Sequence, residues 1–164
     1  METMLATPRR LAPDWPHWEA LRRLVLGAFS FMEGRIDPPS SAHRLTVEDM
    51  AAQARDGEVW AVMEGDAPVA CIFLAPRPSC LYLGKLAVDP GRQGTGLGRR
   101  LVALAEERAR ALGLPALELQ SRVELTEIHA IFARLGFART GETAHPGYDR
   151  PTSVTMRKEL SRGP

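Results

Sequence analysis

The segment Leu86-Ala87-Val88-Asp89-Pro90-Gly91-Arg92-Gln93-Gly94-Thr95-Gly96-Leu97-Gly98-Arg99-Arg100-Leu101 constrains the fold more than any other part of the chain. An apolar run of strand character passes through a loop with glycine at three alternate positions straight into a helical pattern. Gly94, Gly96 and Gly98 let the backbone turn several N–H groups toward one point, at the positive end of the helix that follows. Such a point suits a phosphate. Arg92, Arg99 and Arg100 add positive charge, and no acid occurs among residues 90 to 100. The segment therefore asks for a strand, loop, helix, strand unit whose two strands lie parallel.

The rest of the chain supplies the elements around that unit. Trp18, Leu21, Leu24, Val25 and Phe29 follow helical spacing and predict a helix from about Asp14 to Phe31. A loop rich in Pro and Ser follows (Arg35 to Ala42), then a short helix capped by Thr46 with Glu48 and Asp49 in its first turn. From Glu58 the period becomes that of strands, with Glu58 to Glu64, Ala67 to Ala75 and Cys80 to Val88 forming an antiparallel meander through turns at Gly65-Asp66 and Pro76 to Ser79. After the glycine loop, Leu101, Leu104, Ala105 and Leu112 mark a helix that stops at Gly113. Pro115 to Gln120 reads as a buried strand, and Ile128, Ile131, Phe132 and Leu135 as a last helix stopped by Gly136. Strands near Phe137 to Thr143 and Ser153 to Glu159 close the pattern. The expected architecture is an α/β (α+β) domain spanning residues 1–164, a mixed, mostly antiparallel sheet of about seven strands flanked by about four helices.

Composition excludes several classes of function. A chain of 164 residues with a net charge of +1 has no general attraction for nucleic acid or anionic membrane. No apolar run approaches the roughly 20 residues that span a bilayer, and Met1 to Pro13 lacks the apolar core of a secretory leader, so a cytoplasmic location is expected. Cys71 and Cys80 are not spaced as CxxC and lie in strand-like runs, which predicts buried, unreactive thiols and no metal site.

Spacing separates the nucleotide-binding motifs that use a glycine loop of this kind. The P-loop fails, because Leu97 follows Gly96 where Lys is required. The dinucleotide fingerprint finds Gly94 and Gly96 but Arg99 in place of its third glycine. The segment resembles instead the GNAT superfamily of acetyl-CoA-dependent N-acyltransferases. Its signature of Gln or Arg, two residues, Gly, one residue, then Gly or Ala is met by Gln93, Gly96 and Gly98. Val88-Asp89-Pro90 before it, Leu101 after it, the strand Leu117-Glu118-Leu119-Gln120 and the ending Phe132-Ala133-Arg134-Leu135-Gly136-Phe137 are similar as well.

The resemblance implies an acetyl-CoA-dependent N-acetyltransferase. Amides of Gly94, Thr95, Gly96, Leu97, Gly98 and Arg99, with Arg92 and Gln93 beside them, would hold the pyrophosphate of coenzyme A. The pantetheine would lie along Leu86, Ala87 and Val88 like an added strand, with Phe132 alongside. Many family members place a Tyr general acid where this chain has Phe132, and an Asn where it has Leu125. His129, one helical turn before Phe132, and Tyr148, in the loop before the last strand, are therefore the alternative acid–base candidates. Residues 33 to 58 carry six acids against three Arg, so Glu33 and Asp37 are expected to select a cationic amine. With no Cys in the motif, direct attack in a ternary complex is expected rather than an acetyl-enzyme. Homodimers are common among such relatives. The substitutions at Phe132 and Leu125 also admit a non-catalytic acyl-CoA-binding or sensing module.

Overall fold

The structure is a computed structural model and describes residues 7–161. Residues 1–6, part of the stretch considered above for a leader, and residues 162–164 lie outside the described part. The elements run β1 (Arg9–Arg10), α1 (Trp18–Phe29), α2 (Val47–Asp56), β2 (Glu58–Glu64), β3 (Ala67–Arg77), β4 (Cys80–Val88), α3 (Leu97–Ala111), β5 (Ala116–Arg122), α4 (Thr126–Arg134), β6 (Ala138–Thr143) and β7 (Ser153–Glu159). The seven strands form one sheet in the order β1-β2-β3-β4-β5-β7-β6, and β4 with β5 is its parallel pair. That pair is joined through α3, the crossover that the glycine segment demands.

Each face of the sheet carries a core. On one face Leu101, Val102 and Ala105 of α3 pack on Ile72, Leu81 and Leu117, with Phe132 and Leu135 of α4 against the same cluster. On the other face Leu21, Leu24 and Val25 of α1 and Met50 of α2 cover Val59, Ala61, Cys71 and Phe73. Leu101 and Leu21 are fully buried, and truncating either to Ala would cost about 2–5 kcal/mol through lost transfer energy and a cavity. Cys71 and Cys80 are free and buried, and burial pushes the Cys71 thiol up to about 12.

Local chemistry explains the boundaries. Thr46 and Asp49 cap α2 reciprocally, side chain to backbone in both directions at 3.0 and 3.1 Å. The first helix starts at Trp18 and not near Asp14, because Ala12 to Trp15 forms a turn and the Trp18 indole N–H donates to Pro13 O at 3.1 Å. β3 runs past Pro76 to Arg77, although Pro cannot donate to a ladder. Its pairing with β2 ends at Leu74, so Pro76 has no β2 neighbour to disappoint.

Candidate active site

A bulge opens the sheet. Phe73 pairs with Lys85 but Leu74 pairs with Leu83, so Gly84 is an extra residue on β4 and bends that strand. Pairing between β4 and β5 accordingly stops at Leu83 with Leu119. Beyond it β5 pairs with β7 along its other edge, as far as Arg122 with Ser153. The Asp89 N–H donates to Val69 O at 2.8 Å, which fixes the alternation of β4 against β3. Residues of the opposite parity, Leu86 and Val88, therefore turn their N–H and C=O groups away from β3 and into the gap. The result is a cleft of about 1270 Å³ between the diverging strands.

The glycine loop sits at one end of this cleft. Gly94 and Gly96 have φ of 83° and 91°, values that L side chains rarely adopt, and Gly96 caps α3 in the left-handed conformation. The first amide to bond back is that of Arg100, to Gly96 O at 3.0 Å. Among the described residues, the N–H groups from Gly94 to Arg99 make no hydrogen bond within the protein. Six successive donors at a positive helix end, left unspent, form an anion site by geometry alone.

The structure distributes the other residues singled out in the sequence as follows. Leu86, Ala87, Val88, Gln93, Leu97, Gly98, Arg99 and Phe132 all line the cleft, and Phe132 packs edge-on against Phe137 with centroids 5.4 Å apart. The Thr95 hydroxyl donates to Arg92 O at 2.5 Å and closes the loop. Arg92 is not free for a phosphate. Its guanidinium holds Glu64 at 2.6 and 2.7 Å and Asp89 at 2.8 Å, the first on β2 and the second just before the acid-free window of the sequence. Arg99 lines the cleft and has no ion pair among the described residues.

Four expectations need correction. His129 does not turn into the cleft; its Nε2–H donates to Arg122 O at 2.8 Å and anchors α4 to the end of β5. The Tyr148 hydroxyl donates to Asp37 Oδ1 at 2.6 Å, and this bond holds the phenol above its ordinary pKa, so its proton is already committed. Asp37 also accepts from Arg150 at 3.1 Å, so its carboxylate fastens the loop after α1, and it is not among the residues that line the cleft. Glu33 faces a separate pocket of about 180 Å³ beside His43.

Sequence reasoning missed His145, a residue that lines the cleft. Its backbone N–H donates to Thr152 Oγ1 at 2.9 Å, and its Nδ1 lies within a short hydrogen bond of the same oxygen. Thr152 is fully buried, and its hydroxyl reaches Thr143 O at 3.4 Å. Thr143 O also accepts the Thr152 backbone N–H at 2.9 Å. In the tautomer with Nδ1 protonated, Thr152 accepts both N–H groups of His145 and Nε2 keeps a free lone pair; in the other, the Thr152 hydroxyl donates to Nδ1. Burial, then Arg122 and Arg44, hold this imidazole below its ordinary pKa, so it is neutral at pH 7. A lone His in an irregular loop has no periodic signal; only its neighbour Pro146 and the turn at Gly147 marked the place.

The profile of the acetyltransferase (GNAT) family matches residues 18–137 of this chain. An IAA acetyltransferase of Azospirillum brasilense is 31% identical over 152 residues, covering 92% of this chain and 97% of that protein. A mycothiol acetyltransferase of Beutenbergia cavernae is 33% identical over 117 residues, 65% of this chain and 38% of the longer relative. Among solved structures, the PaiA N-acetyltransferase of Thermoplasma acidophilum in complex with coenzyme A superposes with a TM-score of 0.79 over 96% of this chain and all of that one, at 14% identity. At that identity the superposition speaks for the fold. The family profile, the full-length relative and the unspent amides facing an opened β4 edge agree, and the chain belongs to the GNAT acetyltransferase family, acyltransferases that use acetyl-CoA.

Proposed function

We propose that this chain, as one domain, transfers the acetyl group of acetyl-CoA to an amine by direct attack in a ternary complex. The observation that carries the reading is the row of unbonded amides from Gly94 to Arg99, continuous with the unpaired backbone of Leu86 and Val88. In this reading the amides and Arg99 take the diphosphate, and Gln93 flanks it. The pantetheine adds to β4 as an extra strand, with Phe132 and Leu125 as an apolar wall.

The Val88 N–H then donates to the thioester carbonyl as its oxygen gains charge. The neutral amine adds to the carbonyl carbon, the N–C bond forms, and the C–S bond breaks with its electron pair leaving on sulfur. The proton lost by the amine nitrogen goes to Nε2 of His145, with Thr152 holding the ring. Phe132 has no proton to give, so the thiolate departs unaided in this scheme. The relatives are named for unlike compounds, IAA and mycothiol, and so speak for the reaction rather than for the acceptor.

A screen of thiol release from acetyl-CoA across amine classes tests the proposal. Intersecting initial-velocity lines and a stoichiometric acetylated amine are expected. Binding of acetyl-CoA without turnover on any amine would favour a non-catalytic acyl-CoA module, the reading that Phe132 motivates.

A further inference from the structure

The two faces of the opened sheet differ in chemistry. Leu117 and Leu119 of β5 point toward α3, so the alternate residues Gln120 and Arg122 lie on the face of α1 and α2. Lys85 pairs with Phe73 of the second core and shares that face. Both Lys85 and Arg122 line the cleft. The charged residues of the lining are Arg35, Lys85, Arg92, Arg99 and Arg122 against a single acid, Glu127. Glu127 is taken by Arg35 at 2.7 Å, and Arg92 by Glu64 and Asp89. Arg99 stands at the glycine loop, away from this face. Two of the Arg122 N–H groups donate to Pro38 O at 2.6 Å and Pro39 O at 3.0 Å, which orders that guanidinium; Glu124 and Asp37 act on its charge without forming an ion pair with it.

Lys85 is the group left over. It makes no hydrogen bond or ion pair among the described residues, and its ammonium lies 5.8 Å from the Phe73 ring. Burial holds it below the ordinary lysine range, and the residue lines the cleft. Asp49 acts on this half-buried cation only from beyond ion-pair distance, so its desolvation is incompletely offset, and an anion bonded to it would recover the deficit. Beside it the lining is apolar. Phe31 and Ile131 are 43% and 47% exposed, unusual for large hydrophobic side chains, and both border the same opening.

We infer that the acceptor is a small amino-carboxylate with an apolar side group, its carboxylate seated on Lys85 with the field of Arg122 behind it, and its side group against Phe31 and Ile131. This rests on the reading of the cleft as the site of acetyl transfer. It replaces the cationic amine anticipated from Glu33 and Asp37, since neither carboxylate is offered to the cleft. A cationic field also favours the neutral form of the attacking amine, the form that can react.

The test uses the intact protein, acetyl-CoA, and two matched sets of probes: apolar and aromatic amino acids, and the amines that remain when their carboxylates are removed, with spermidine as a polycation. The expected result is turnover of at least one amino acid with kcat/KM about tenfold or more above that of its decarboxylated partner, the size of one charge-assisted hydrogen bond. Lys85→Met should raise KM for that amino acid by a similar factor and narrow the ratio between the pair, with acetyl-CoA affinity by titration unchanged and Lys85→Arg partly restoring KM. Decarboxylated amines or spermidine turned over as well as the amino acids would overturn the inference. So would a protein that binds acetyl-CoA and accepts none of the amino acids. Absence of acetyl-CoA binding would instead refute the underlying reading of the cleft.

Discussion

Gly98→Leu should make the protein slightly more stable and unable to hold its coenzyme. Gly98 lies in the first turn of α3 with a right-handed φ, and a Cβ built there meets only Val88 Cγ2, at 3.9 Å, an ordinary van der Waals distance. The backbone therefore accepts a side chain. Replacing helical Gly by Leu gains about 0.5–1 kcal/mol, which raises Tm by roughly 2–4 °C for each kcal/mol in a chain of this size. The rest of the Leu side chain, however, enters the space between the free amides and the Val88 edge, where diphosphate and pantetheine must pass. Losing two charge-assisted hydrogen bonds removes at least about 3 kcal/mol, or a weakening of acetyl-CoA binding by more than about a hundredfold. Calorimetric titration and a thermal melt on the same sample measure both signs. A Gly98→Leu protein that binds acetyl-CoA like the wild type would show that the amides ahead of α3 are not the coenzyme cradle. Gly98→Ala, which adds one methyl group, is expected to stay within about threefold of wild-type affinity.

Three further outcomes follow from the same structure. Glu58, 4% exposed, accepts two bonds from Arg108 at 2.7 and 2.8 Å and one from the Trp60 indole at 2.9 Å. Its removal in Glu58→Ala should cost about 3 kcal/mol without changing acetyl-CoA affinity, as read by denaturant melts and titration. Burial alone would raise the Glu58 pKa, but Arg108 and Trp60 outweigh it and hold the carboxyl below 4.5. The bond therefore contributes stability above about pH 4.5 that is lost as pH falls through the folded value, and the Tm of Glu58→Ala should decline less steeply with acid than that of the wild type. His145 must be neutral to act as a base. Activity should accordingly fall on the acid side of a pKa below the ordinary imidazole value, and His145→Gln should abolish that limb of the kcat/KM profile; an unchanged limb would remove His145 from the mechanism. Finally, Cys71→Ala with Cys80→Ala should keep turnover and intersecting velocity lines, since both thiols are buried and burial raises both pKa values; loss of turnover with folding intact would point to an acetyl-enzyme.

Much of the fold was legible because its signals are local. Strands β2, β4 and β7 and the Thr46 cap follow from period and capping chemistry, and Gly113 and Gly136 stop their helices at φ of 73° and 99°. β1 was not legible, since two residues, Arg9 and Arg10, hold no period and pair only because β2 offers an edge. The cofactor side of the site was legible for the same reason as the local elements: the glycine loop carries its own geometry in consecutive residues. The acceptor side was not. Arg92 lost its freedom to Glu64, 28 residues away, and Asp37 to Tyr148, 111 residues away. His129 and His145 exchanged places as the histidine at the cleft because one met a backbone carbonyl and the other a buried threonine. Lys85 became a site only through the bulge at Gly84 and the empty space beside β5.

A crystal structure with bound coenzyme A tests the central claim most directly. The diphosphate oxygens are expected within about 3 Å of amides between Gly94 and Arg99, with the pantetheine amides bonded to the backbone of Leu86 and Val88. Coenzyme A bound elsewhere, with those amides turned inward onto protein acceptors, would contradict it.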